Sequence, residues 1–135
     1  MSSKRTIIAL DVGEKRIGVA QADTSIGIAV PYDTIEVDGT EVETIIRLVV
    51  SSGASTVVVG YPRNQSGEPT AQTAYVEAFA ARLKDIDTEI VFQDESLTSV
   101  LAEQQLAARK KPYAKGDIDM VAATLILDDY LERQR

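Results

Sequence analysis

Asp11 closes an apolar run in which it shares one strand face with Ile7 and Ala9, while Ile8, Leu10 and Val12 line the other. Both faces read as buried, so a carboxylate there has to be paired, hydrogen-bonded or bound to a cation. A strand-end Asp capping the turn at Gly13 is the plainer alternative. Asp94 and Glu95 follow directly on a second strand-like run, the position where sites gather in open α/β sheets. Acids before a helix also serve as caps, and Ser96 to Thr98 are capping residue types. Asp119 stands in Gly116-Asp117-Ile118-Asp119 at the opening of a last helix, with Asp117 as its expected N-cap. Beyond Asp119, helical spacing brings Ala122, Ala123, Ile126 and Tyr130 onto its face. That face is small and apolar, so it should pack closely and turn the carboxylate toward the sheet, with the helix N-terminus offsetting part of the cost.

The chain contains neither His nor Cys, which excludes disulfides, thiol nucleophiles, histidine acid–base schemes and zinc fingers. Three acids on a strand, at a strand end and at a helix start then point to an all-oxygen cation site for Mg²⁺ or Mn²⁺. Metal ions about 3.5–4 Å apart can activate water and stabilise the leaving oxygen of an in-line phosphoryl displacement. A nucleic-acid substrate fits the cations nearby. Arg109, Lys110, Lys111 and Lys115 surround Tyr113 just before Asp119, Lys15 and Arg16 follow Asp11, and Arg63 with Asn64 follow an apolar strand. Each of these, taken alone, reads more readily as a solvated loop. Their coincidence beside the acids favours phosphate contact.

The elements that must hold these residues are short. Residues 5–12, 16–22 and 26–36 read as an antiparallel meander, with Gly13, Glu14 and Lys15 in the first turn. Val42, Ile45, Ile46, Val49 and Val50 recur at helical steps over 40–52, ahead of Gly53. Residues 56–60 form an unbroken apolar run, the mark of a strand covered on both faces. A helix over 70–84, a strand at 88–93, a helix near 98–108, a basic loop at 109–116 and a helix from 118 to about 133 follow. This order predicts one α/β domain spanning 1–135, a mixed sheet with helices on both faces. Its 135 residues, 44% of them hydrophobic and 26% charged, suit a single globular core. The net charge of −7 disfavours a protein that coats nucleic acid by charge alone, leaving room only for a local basic patch. With no signal peptide or apolar span in view, the expected location is the cytoplasm.

Four collinear segments carry a resemblance: Asp11 to Ala20, Val58 to Glu68, Asp94 to Ser99, and Ile118 to Ala123. Together they resemble the YqgF (RuvX-like) family over nearly the whole chain. The resemblance implies a ribonuclease H-like fold built on a five-stranded sheet. It also implies a metal-dependent nuclease that matures the 5′ end of pre-16S rRNA, or a Holliday-junction resolvase. Position by position, Asp11 matches the first-strand catalytic acid, Glu95 the acid after the later strand, and Asp119 the acid of the final helix. Asp117 has no counterpart. Ser96 departs from the family pattern, which usually places Arg after the Asp-Glu pair.

The leading expectation is therefore metal-assisted RNA cleavage by Asp11, Glu95 and Asp119, with Lys15, Arg16, Arg63, Asn64, Lys110, Lys111 and Lys115 on the nucleic acid. The partner is pre-16S rRNA or structured DNA, and the protein a monomer or weak homodimer. A resolvase would keep the chemistry, change the substrate and require paired active sites. A non-catalytic RNA-binding assembly factor would keep the basic residues and use the acids for the fold. The first segment also resembles the phosphate hairpin of sugar kinases and actin-like ATPases, but those proteins close two such domains around a nucleotide and this chain supplies one.

Overall fold

The structure, a computed structural model, describes residues 5–62, 68–84, 86, 88–94, 104, 105, 107, 108 and 115–134, without the side chain of Lys115. Strands β1 (Thr6–Val12), β2 (Arg16–Asp23) and β3 (Ile28–Glu36) form the expected antiparallel meander. Helix α1 (Glu41–Ser52), strand β4 (Ala54–Tyr61), helix α2 (Ala71–Ala81), strand β5 (Glu89–Asp94) and helix α3 (Lys115–Arg133) follow. The five strands lie in the order β3-β2-β1-β4-β5, with β4 parallel to β1 and β5 parallel to β4. This is the predicted mixed sheet, with helices on both faces.

The alternation read from β1 separates the two cores. Ile8, Leu10 and Val12 face the cluster that holds Ile45 and Val49 of α1 with Val76 and Phe79 of α2. Ile7 and Ala9 face the opposite cluster, made with Ala123, Ile126, Leu127 and Leu131 of α3. Because both faces are covered, Val57, Val58 and Val59 of β4 are fully buried. Burying side chains of this size stabilises by about 1.5–3 kcal/mol each. Helix α1 stops where expected, because Gly53 takes a left-handed conformation (φ 67°) that lets its N–H reach back to the last turn.

Several boundaries differ from the sequence expectation. The third strand begins at Ile28 rather than 26, because Ile26 and Gly27 donate backbone N–H groups to the Asp23 carbonyl and so belong to the preceding turn. Helix α2 ends at Ala81, and α3 begins at Lys115 instead of 118. Lys115 and Gly116 are therefore helical rather than the end of a basic loop. Asp117 is likewise inside the first turn and is not the N-cap. A tertiary contact holds this first turn against the sheet: the Thr34 hydroxyl of β3 donates to the Gly116 carbonyl at 2.6 Å. Residues 104, 105, 107 and 108 are helical, within the helix expected near 98–108.

Candidate active site

Strands β1, β4 and β5 run the same way, so Asp11, Tyr61 and Asp94 come to one edge of the sheet, where Tyr61 and Asp94 are register partners. The antiparallel β2 starts at this edge with Arg16. The turn between β1 and β2 is closed by the Gly13 N–H donating to the Arg16 carbonyl at 3.0 Å. It is tied to the far end of β3 by the Val37 N–H donating to the Lys15 carbonyl at 3.0 Å. From the other side, the Gln72 side-chain amide donates to the Val12 carbonyl at 3.0 Å and fixes the end of β1 against α2.

Asp11 stands opposite Gly18 in the β1–β2 register. Gly18 in turn is covered by the backbone of Asp119, so close that a Cβ on the glycine would lie 1.9 Å from the Asp119 carbonyl oxygen. Gly18 is thus a shared neighbour of two acids 108 residues apart in sequence, Asp11 as its register partner and Asp119 through its backbone. The Arg16 Nε–H donates to Asp119 Oδ2 at 2.8 Å, and the two side chains are 28% and 21% exposed. A charge-assisted bond of this length, largely removed from water, is a stronger contact than a surface ion pair.

Asp119 accordingly points toward the sheet, on the face shared with the buried Ala122, Ala123 and Ile126. Its compensation differs from the one expected. Asp119 stands one turn inside α3, beyond the short range of the helix-end charge, and it is the Arg16 guanidinium that balances it. Among the remaining predicted residues, Lys15 is exposed in the β1–β2 turn, Asp94 is the exposed last residue of β5, and Lys115 opens α3. Glu95, Arg63, Asn64, Lys110 and Lys111 lie outside the described residues, as does Ser96.

The described donors fit a hard divalent cation in kind. Asp11 and Asp119 offer only oxygen ligands, and a cation from the protein itself already stands on Asp119. Among the described residues no three acids converge as a metal-binding group.

Gly18 and Thr34 are the site residues that sequence reading missed. A glycine inside a strand signals close approach of another backbone, so Gly18 carried a usable signal. Thr34 carried none, because nothing local distinguishes a strand threonine that bonds a distant helix.

A family model described as RuvX: Holliday junction resolvase matches residues 5–133. A Chloroflexus aurantiacus protein bearing the name "Putative pre-16S rRNA nuclease" is 45% identical over 134 residues, which cover 96% of this chain and 88% of that protein. A Synechocystis protein of the same name is 39% identical over 140 residues, covering 100% of this chain and 92% of its own. Among solved structures, RuvC of Thermus thermophilus in complex with a Holliday junction substrate superposes with a TM-score of 0.57 at 12% identity, covering 96% of this chain and 95% of that one. The Fowlpox virus resolvase with its substrate Holliday junction DNA gives a TM-score of 0.54 at 13% identity, covering 96% and 98%. At these identities the likeness is one of fold, and that fold is the ribonuclease H-like one expected from the sequence.

Proposed function

The chain belongs to the RuvX family, and on that premise we propose that it is a metal-dependent nuclease that hydrolyses phosphodiester bonds during maturation of the pre-16S rRNA 5′ end. The observation that carries this reading is that Asp11 and the backbone of Asp119 both neighbour Gly18, at the end of the sheet where β1, β4 and β5 finish. Asp11 and Asp119, with Glu95 following β5, would hold Mg²⁺ or Mn²⁺, which supplies an activated water and a counter-charge to the phosphate. Asp11 is set by a strand buried on both faces and Asp119 by a helix seated on a glycine, so neither has to be ordered when substrate arrives. Lys15, Arg16, Arg63, Asn64, Lys110, Lys111 and Lys115 contact the nucleic acid in this reading, a local patch on a chain of net charge −7. The names of relatives 39–45% identical along nearly the whole chain support the rRNA substrate. In this reading the protein acts on rRNA in the cytoplasm, as a monomer or weak homodimer, and none of the described helices is long and apolar enough to cross a membrane.

The family model's description favours a second reading, a four-way DNA junction as substrate. That reading requires two active sites and hence a homodimer. The test is cleavage of 5′-extended pre-16S rRNA, single-stranded RNA and a four-way DNA junction by wild-type protein and Asp11→Asn, with Mn²⁺, Mg²⁺ or EDTA. Metal-dependent cutting of the rRNA is expected, falling at least about 100-fold in Asp11→Asn while binding persists. Cutting of the junction alone moves the substrate to DNA. RNA binding without cleavage under any condition identifies an assembly factor instead, and unchanged cleavage by Asp11→Asn overturns the assignment of the acid.

A further inference from the structure

The Arg16–Asp119 contact joins a predicted phosphate ligand to a predicted metal ligand, and one side chain cannot serve both functions at once. Arg16 Nε donates to Oδ2 at 2.8 Å, so the guanidinium already occupies one oxygen of a carboxylate that the nuclease reading assigns to a divalent ion. An ion on the other oxygen of Asp119 would stand within a few ångströms of a full positive charge. With both side chains only about a quarter exposed, water screens that repulsion poorly. The partners also differ in freedom. Asp119 is held by the backbone seat on Gly18, where a Cβ would fall 1.9 Å from its carbonyl oxygen, whereas Arg16 reaches its partner through a long side chain from the first residue of β2. When the two cations compete, the arginine head is the group that can leave.

We propose that Arg16 is a resident counter-ion of Asp119 that yields to the divalent cation and is thereby released toward a substrate phosphate. The pair keeps the half-buried carboxylate compensated while no metal is bound. It also withholds the arginine from nucleic acid until the site is charged. Arg16 in this account is a positioning residue, coupling metal occupancy to phosphate binding in the same site, and the inference rests on the nuclease reading above. No bond is made or broken; one ionic partner replaces another.

The test reads metal binding directly. Mn²⁺ binding to the full chain is measured by calorimetry, and thermal melting is followed in EDTA and in Mn²⁺, for wild type, Arg16→Gln, Arg16→Lys and Asp119→Asn. Removal of the competing charge predicts that Arg16→Gln binds Mn²⁺ about tenfold more tightly, the ratio expected for a charged hydrogen bond of ordinary strength. The same variant melts lower than wild type in EDTA and gains more from Mn²⁺, because ion binding then restores a lost partner. Arg16→Lys, which keeps the charge, stays within about twofold of wild type. Equal or weaker Mn²⁺ binding by Arg16→Gln overturns the exchange, while loss of binding in Asp119→Asn would leave the metal reading standing. Wild-type protein that binds no Mn²⁺ removes the metal reading and the exchange with it. Should Arg16→Gln fail to fold, Arg16→Met is measured in its place, with the same tightening expected and equal or weaker Mn²⁺ binding refuting the exchange.

Discussion

The carbonyl oxygen of Asp119 rests on the Cα of Gly18, leaving no space for a side chain there: a Cβ would stand 1.9 Å from that oxygen and 3.0 Å from the Asp119 Cα. The obstacle is backbone on both sides, so no rotamer change relieves it. Gly18→Ala must lift the start of α3 away from β2, at a cost of about 3 kcal/mol or more. Because Asp119 rides on that helix, cleavage should fall about 100-fold even where the variant remains folded. Urea unfolding and the rRNA cleavage assay measure the two effects. A variant within about 0.5 kcal/mol of wild type and fully active would show that α3 does not need its seat on Gly18.

Thr73 is fully buried at the start of α2, where its hydroxyl accepts the Thr70 N–H at 2.8 Å and donates to the Pro62 carbonyl. One hydroxyl thereby caps a helix and holds the end of the segment leaving β4. Thr73→Val has nearly the same volume but abandons both partners, so it should destabilise by about 2–3 kcal/mol. Thr70→Ala removes only the other half of the capping box and should cost about 1 kcal/mol. Chemical denaturation of the single and double variants checks this. The two costs should fail to add, since they share a contact.

Glu41 gives the protein a predictable response to acid. Its carboxyl is held below the ordinary value of 4.5 first by its own backbone N–H and then by that of Gly39, which donates to Oε1 at 2.7 Å. The Arg82 guanidinium, 3.7 Å away, adds a weaker pull in the same direction. A depressed folded-state pKa means that the unfolded chain takes up the proton first as pH falls. The stabilisation is therefore complete above the unfolded value and disappears as pH drops through the folded one. Glu41→Gln should melt below wild type at neutral pH, and the gap should shrink once pH falls below the ordinary value of 4.5 and vanish below the depressed one. Melting curves across that range test the sign; a gap that widened in acid would contradict it.

Sequence periodicity located the elements because it records local burial. The alternation in β1 assigned Ile8, Leu10 and Val12 to one core and Ile7 and Ala9 to the other, as observed. The apolar run of β4 announced a strand covered on both faces, and Gly53 marked the end of α1 by its left-handed conformation. The apolar spacing after Asp119 likewise told which way that carboxylate points. Such features depend on a residue and its near neighbours along the chain.

The same local rules misjudged the start of α3, where Asp117 lies inside the first turn, and they gave no sign of the Thr34 hydrogen bond to Gly116, 82 residues away in sequence. They were also silent on Arg16 and Asp119. Spacing offered both residues as chemically able, one for phosphate and one for metal, but their pairing spans 103 residues. It exists only once β2 is antiparallel to β1 and α3 has settled on Gly18. Local stretches of chain suffice to define the strands and helices and the acids they carry. Which of those charged groups meet was decided by the tertiary structure, since a contact between distant segments depends on register and packing distance, and neither is written into any local stretch of chain.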